Sequence, residues 1–164
     1  MGLFDFVKNA GEKIFGRDDT AAKAATAEEQ KKAELAAERR TAARMVEVVQ
    51  GLGLEVDDLA IKFDDGVVTV GGAVDSQADR EKVILVLGNT QGVGRVDDRL
   101  KVVKPEPESQ FYTVKRGDSL SKIAKQVYGN AMKYPIIFEA NKPMLKHPDK
   151  IYADQVLRIP PLED

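Results

Sequence analysis

Apolar residues recur at every second position from Leu59 to Phe63, which is the spacing of a half-buried strand. Asp65-Gly66 follows and predicts a hairpin turn, because glycine adopts positive φ without a steric cost. The returning strand begins near Val68, and Gly71-Gly72 is expected to end it. This part of the chain therefore predicts two antiparallel strands with one buried face.

A helix and a third strand are predicted after the hairpin. Ser76 with Asp79 is a suitable helix start, and Gly88 is a suitable helix end. A third strand is centred on Leu100. The order helix, strand, strand, helix, strand over residues 45–103 predicts a small α+β unit, with one sheet and helices on one face.

A second compact unit is predicted over residues 110–160, after a proline-containing linker at 104–109. A strand begins at Phe111, and a helix with one apolar face begins near Leu120. Pro135 suits the first turn of a second helix, where its missing N–H group is harmless. A last strand covers 156–159, so the predicted order is strand, helix, helix, strand.

The chain before residue 45 consists of two segments of different amino-acid composition. Residues 1–16 are rich in large apolar side chains and are expected to form an N-terminal helical segment. Residues 17–44 consist mainly of alanine and charged residues, with Thr26 and Glu29 in the spacing of a capping box. Because this stretch lacks an apolar stripe, it is expected to be a solvated helical spacer, ordered or partly disordered.

Composition excludes several classes of site. The 164 residues include no cysteine and one histidine, His147, and the formal net charge is −2. Disulfides, thiolate metal sites and multi-histidine sites are therefore excluded, and the basic excess of nucleic-acid-binding proteins is missing. No familiar catalytic motif is present, so the chain is expected to be a binding protein and not an enzyme.

The sequence also carries no membrane-spanning or secretory pattern. No stretch approaches the roughly 18 apolar residues of a spanning helix, and the first residues lack the apolar region of a signal peptide. We therefore expect a cytoplasmic protein without stable membrane insertion. A monomer is expected as well.

Residues 110–160 resemble a LysM domain. The resemblance is carried by four motifs, which are Gly117-Asp118-Ser119-Leu120, Ile123-Ala124, Ala140-Asn141 and Gln155-Val156-Leu157-Arg158-Ile159-Pro160. Ala153-Asp154 departs from the pattern, since the LysM family usually has Pro-Gly there. Aspartate enters the left-handed region less freely than glycine, so we expect some strain at this turn.

Residues 57–103 resemble a BON domain, through the strands around Asp65-Gly66, through Gly71 and Ser76, and through the stretch from Gly92 to Leu100. The order BON then LysM, opened by MGLFDFVKNAGEKIF, is similar to a family of cytoplasmic bacterial potassium-binding proteins. The resemblance implies that the protein binds K⁺, changes conformation on binding, and serves as a K⁺ sensor or buffer.

The implied K⁺ site needs no charged side chain, because neutral carbonyl oxygens can replace the hydration shell of this large ion. Helix ends and glycine-rich turns supply such oxygens, since the last carbonyl groups of a helix have no internal partner. The resemblance places the ion between two segments. Its implied ligands are the main-chain oxygens of Val7, Ala10, Glu12, Gly88, Thr90 and Val93.

Other interpretations stay open on the residues alone. The same two segments fit a plain helix cap and a loop whose carbonyl groups bind water. LysM domains commonly bind peptidoglycan or chitin, and the implied glycan contacts are Gly117, Asp118, Ser119, Leu120, Asn141, Pro148, Asp149 and Ile151. A third alternative is an amphipathic membrane anchor formed by the first fifteen residues, although their mixed charge does not favour it.

Overall fold

A computed structural model describes residues 2–6 and 26–162 of the chain and confirms the α+β class. The N-terminal unit contains a four-stranded sheet in the order β1-β4-β3-β2, with two helices. β1 and β2 are antiparallel to their neighbours, whereas β3 and β4 are parallel and are joined through α2. The elements of this unit are β1 Gly2–Asp5, α1 Ala27–Gly51, β2 Asp57–Asp64, β3 Val67–Ser76, α2 Gln77–Gly88 and β4 Arg95–Lys104.

The C-terminal unit has the predicted order of strand, helix, helix, strand. Its two strands pair antiparallel, with Tyr112 opposite Leu157. Its elements are β5 Gln110–Thr113, α3 Leu120–Tyr128, a 3₁₀ turn at Ala131–Lys133, α4 Tyr134–Ala140 and β6 Val156–Ile159. Ser119 caps α3 by accepting from Lys122 N–H at 3.2 Å, and Pro135 lies in the first turn of α4 as predicted.

Helix α1 begins at the predicted cap, where Thr26 Oγ1 accepts from Glu29 N–H at 3.3 Å. Its first half is exposed, and burial starts at Thr41 and is complete at Met45 and Val49. The helix runs through position 45 without a break, so the spacer and the N-terminal unit share one element. Residues 17–25 lie outside the described ranges. Among the described helices, none combines the length and apolar character needed to cross a bilayer.

The β2–β3 hairpin has the predicted turn, with Asp65 and Gly66 at φ 49° and 84°. The expected strand end at Gly71-Gly72 is wrong, because β3 continues to Ser76. Gly72 has φ 131°, and a Cβ at this position would lie 2.7 Å from the carbonyl oxygen of Asp57. The glycine therefore allows a close approach of two strands at a bulge, and does not end pairing.

The first residues also differ from the expectation. Residues 2–5 form strand β1 and not part of a helix, and Phe4 lies opposite Val96 of β4. The open edge of β4 offers unpaired backbone groups, and pairing with that edge overrides local helix preference. Asp5 also accepts from Arg95 Nε at 2.8 Å. Residues 7–16, the rest of the predicted helical segment, lie outside the described part of the chain.

Two hydrophobic cores fill the two units. The larger core lies between the four-stranded sheet and its helices, and the smaller one lies under α3 and α4. Met144 packs against both cores, and the Phe4 and Phe111 rings lie 5.4 Å apart between centroids. The two units are therefore in direct contact.

Candidate functional site

The loop that follows α2 is tightly folded and buried. Asn89 N–H donates to the Leu85 carbonyl at 2.9 Å, and Thr90 N–H donates to the Leu87 carbonyl at 3.2 Å. Val93 N–H donates back to the Thr90 carbonyl at 3.1 Å. Thr90 and Val93 are 1% and 0% exposed, so their main-chain atoms are held in place by the surrounding core.

The last residue of α2 is Gly88, whose carbonyl oxygen lies at the helix end. In the described part of the chain, no N–H group donates to the Gly88 carbonyl oxygen. The C-terminal end of a helix also carries partial negative charge, which favours a cation. Gly88 thus ends α2, and Thr90 and Val93 lie in the loop that follows it.

The phenyl ring of Phe6 covers Gly88. A Cβ at Gly88 would lie 2.0 Å from Cζ of Phe6, so only glycine leaves room for the ring. Phe6 N–H donates to the Gly94 carbonyl at 2.9 Å, which fixes the backbone at this point. Phe6 therefore lies directly beside the loop. The other three predicted ligands, Val7, Ala10 and Glu12, lie outside the described residues.

The sequence analysis missed Asn89, which connects the same loop to the C-terminal unit. Its Oδ1 accepts from Val156 N–H at 2.8 Å, and its Nδ2 donates to the Val156 carbonyl at 2.8 Å. Its own carbonyl accepts from the Tyr152 hydroxyl at 3.4 Å. Asn89 lies between two of the predicted ligand residues. No local signal distinguishes it from an ordinary helix-end asparagine.

A second asparagine pairs with the same strand. Asn141 Oδ1 accepts from Arg158 N–H at 2.7 Å, and its Nδ2 donates to the Arg158 carbonyl at 2.9 Å. Val156 and Arg158 alternate with Leu157, so their backbone groups point away from β5. The edge of β6 is thus occupied by one side chain from each unit.

Glu81 forms a further contact between the units. This carboxylate is 2% exposed and accepts from Arg158 Nε at 2.6 Å. Its other oxygen accepts from Ser109 N–H at 2.8 Å, so the end of the linker is also held. Ser109, the last residue of the predicted linker, is therefore tied to α2 by this bond. Removal of one partner would leave a buried charge unpaired, which is costly.

The predicted glycan residues serve partly structural roles. Gly117 has φ 86°, and Asp118 accepts from the Tyr112 hydroxyl at 2.8 Å and from Lys115 N–H at 2.9 Å. The Lys115 N–H bond lowers the pKa of Asp118 below 3.8, and desolvation raises the pKa of Tyr112 above 10.0. Leu120 is buried in the core beneath this turn.

The second predicted glycan segment contributes less surface than expected. Asn141 is 1% exposed, and its side chain is used by β6. Asp149 is exposed, Pro148 is half-buried, and Ile151 lines a cavity between the two units. Of this set, Gly117 and Asp149 are exposed, whereas Asp118, Ser119, Pro148 and Ile151 are half-buried.

The described residues contain no group of three or more His, Asp or Glu side chains that could hold a metal ion.

Comparisons with known proteins agree with the two-unit architecture. The BON domain matches residues 47–104, and the LysM domain matches residues 112–160. The protein named Potassium binding protein Kbp from Escherichia coli O6:H1 strain CFT073 is 48% identical over 161 residues, which are 98% of this chain and 99% of that protein.

The chain belongs to the Kbp family. An uncharacterized protein of Deinococcus radiodurans is 34% identical over 133 residues, which cover 74% of this chain and 52% of that protein. The N-terminal unit is therefore a BON domain, with β1 added to its sheet, and the C-terminal unit is a LysM domain. The Kbp-family assignment confirms the resemblance on which the predicted site was based.

Proposed function

We propose that this chain binds K⁺ through main-chain carbonyl oxygens of two segments, the loop after α2 and residues 7–12. The contact between Phe6 and Gly88 carries the proposal, because Phe6 is the residue that immediately precedes the second segment in the sequence. The name of the Escherichia coli relative supports the same ion. Val7, Ala10, Glu12, Gly88, Thr90 and Val93 are the proposed ligands.

Neutral oxygens suit K⁺ for an energetic reason. Removing water from a monovalent ion costs a moderate free energy. Several carbonyl dipoles can offset that free energy without a compensating carboxylate. The Gly88 carbonyl is at a helix end, where the peptide dipoles add to the local negative potential. Na⁺ holds its water more tightly and is expected to bind less well.

Ion binding is proposed to change the conformation of the chain. K⁺ would pin residues 7–12 onto the BON domain and fix the backbone of the α2 loop. Asn89 belongs to this loop and pairs with Val156 of the LysM domain, so a fixed loop favours the docked arrangement. Linkage is reciprocal, and LysM docking therefore raises the affinity for K⁺ by the same factor.

This linkage suits a K⁺ sensor or buffer, which we propose to act in the cytoplasm as a monomer. A titration tests the central claim. Protein stripped of alkali metal is titrated with KCl and with NaCl at equal ionic strength, by calorimetry and by amide chemical shifts of Gly88–Val93. We expect saturable heat and shifts with KCl only. Equal responses to both salts would contradict the proposal.

The LysM domain supports a second candidate function, the binding of N-acetylglucosamine polymers. The accessible turn at Gly117–Ser119 and the segment at Pro148–Asp149 would form the contacts. Chitin or muropeptide oligomers should then bind saturably, and Asp149→Asn should weaken binding. Asp75→Asn, an exposed change on the BON domain, serves as the matched control. Absence of saturation would remove this candidate.

A further inference from the structure

A cavity of about 630 Å³ lies between the BON and LysM domains. One wall comes from the ends of α1 and α2, including Leu52 and Val86, and the opposite wall comes from the LysM segment 144–155. Small-molecule sites usually measure about 300–1,000 Å³ and occur preferentially at domain interfaces. The size and position of this cavity are therefore those of a ligand site.

The polar side chains on its walls are already used within the protein. Asn89 pairs with Val156, Thr90 Oγ1 donates to the Val86 carbonyl at 3.0 Å, and Gln155 Oε1 accepts from Tyr152 N–H at 3.4 Å. These groups require no ligand to satisfy them. The cavity also has apolar lining residues from both units, which include Val48, Leu52, Met144 and Ile151.

The charge of the cavity has one sign. Lys146 and Lys150 line it and are exposed, whereas none of the described residues that line it is Asp or Glu. Asp149 lies in the same segment but outside the lining, with its carboxylate 3.8 Å from Nδ1 of His147. Two ammonium groups disfavour a cation in this cavity. The cavity adjoins the proposed K⁺ site, because Thr90 lines it and also supplies a proposed K⁺ ligand.

We propose that the cavity binds a small organic anion with an apolar body, of the class of medium-chain carboxylates. The apolar body occupies the space between Leu52, Val86 and Ile151. The carboxylate lies at the rim, between Lys146 and Lys150. Because both domains supply walls, the bound anion stabilises the docked arrangement of the two domains.

Calorimetric titration with octanoate tests the proposal on the full chain, in KCl and separately in NaCl. Saturable binding in either salt is expected, with octylammonium and octan-1-ol at least tenfold weaker. Methyl chemical shifts of Val48, Val86 and Ile151 should move during the titration. Because the test accepts either salt, its result does not depend on whether K⁺ binds.

The charge contribution is tested by the double variant Lys146→Gln/Lys150→Gln, which should weaken octanoate binding at least tenfold. The matched control is Lys62→Gln/Lys101→Gln, which removes two exposed lysines on strands of the BON sheet. Octanoate that fails to saturate, that binds both double variants equally, or that binds no better than octan-1-ol overturns the proposal.

Discussion

The side-chain amide of Asn89 pairs with the backbone of Val156 as a neighbouring strand would, with both N···O distances at 2.8 Å. Asn141 repeats this pairing two residues along the same strand, at Arg158. The first asparagine belongs to the BON domain and the second to the LysM domain. One edge of β6 therefore supplies backbone groups that bind the BON domain.

Removal of the first amide should release the LysM domain. Asn89→Ala leaves the buried N–H and C=O of Val156 without partners, which costs about 1–3 kcal/mol for each group. We expect a larger radius of gyration in small-angle scattering and weaker K⁺ binding, since docking and ion binding are linked. Asn89→Asp keeps the acceptor and loses the donor, so its effect should be intermediate.

Asn130→Ala is the control for this variant, because Asn130 is exposed and caps only the short 3₁₀ turn. It should leave both the radius of gyration and the K⁺ affinity unchanged. An Asn89→Ala protein as compact as the wild type would show that the amide pair does not hold the domains together.

A methyl group at Gly88 should displace Phe6. In Gly88→Ala the new Cβ would overlap the ring, and overpacking of this kind costs about 1–3 kcal/mol. Because Phe6 leads directly into the proposed ligands at residues 7–12, K⁺ affinity measured by calorimetry should fall about tenfold, equivalent to ~1.4 kcal/mol. Gly51→Ala is the control, since no atom lies within 4 Å of its Cβ position. Unchanged K⁺ affinity in Gly88→Ala would show that the Phe6 contact does not contribute to ion binding.

Potassium should stabilise the fold more than sodium does. An ion that binds only the ordered state adds about 2.7 kcal/mol when its concentration is a hundredfold above Kd. For a chain of this length the melting temperature should rise by roughly 5–10 °C. Thermal unfolding followed by circular dichroism in KCl and in NaCl, at equal ionic strength, measures the difference. Coincident melting curves would argue against a selective site.

The LysM domain should lose stability at low pH, and Asp118 should cause part of that loss. The bond from Lys115 N–H holds the folded-state pKa of this carboxyl below 3.8, so folding favours the charged form. The contribution is fully present above the unfolded pKa and is lost as pH falls through the folded-state value. Asp118→Asn should therefore reduce stability near neutral pH and flatten the loss in acid.

Urea unfolding at about pH 7 and about pH 3 checks this prediction, because the two values lie on either side of the unfolded aspartate pKa. Glu106→Gln, in the exposed linker, controls for the removal of one negative charge. If Asp118→Asn and the wild type lose the same free energy of unfolding between the two pH values, the Lys115 bond makes no measurable contribution to the pH dependence of stability.

Local signals predicted most helix and strand positions. The alternation around Ile61, the turn at Asp65-Gly66 and the caps at Thr26 and Ser76 all act within a few residues, and all are confirmed. The errors arose where tertiary pairing decides the structure. Strand β1 forms because β4, about 90 residues later, offers an open edge.

The residues of the candidate site also fall into those that local sequence indicates and those that depend on distant partners. The segment 88–93 could be singled out from sequence because it lies at a helix end, whereas the choice of Gly88, Thr90 and Val93 within it rests on the family resemblance. The roles of Phe6 and Asn89 could not, since each depends on a partner that is distant along the chain. All six proposed ligands stay predictions that rest on the family resemblance, and they are Val7, Ala10, Glu12, Gly88, Thr90 and Val93.

The pairing of Asn89 with Val156 has a consequence for self-association. An unpaired strand edge can recruit a strand from another molecule and begin aggregation. When the BON domain withdraws, Val156 would expose one donor and one acceptor on the outer side of β6, next to the Arg158 groups that Asn141 still covers. Each asparagine therefore covers backbone groups that could otherwise pair with a strand of another molecule. Separation of the domains removes Asn89 from this edge and leaves Asn141 in place.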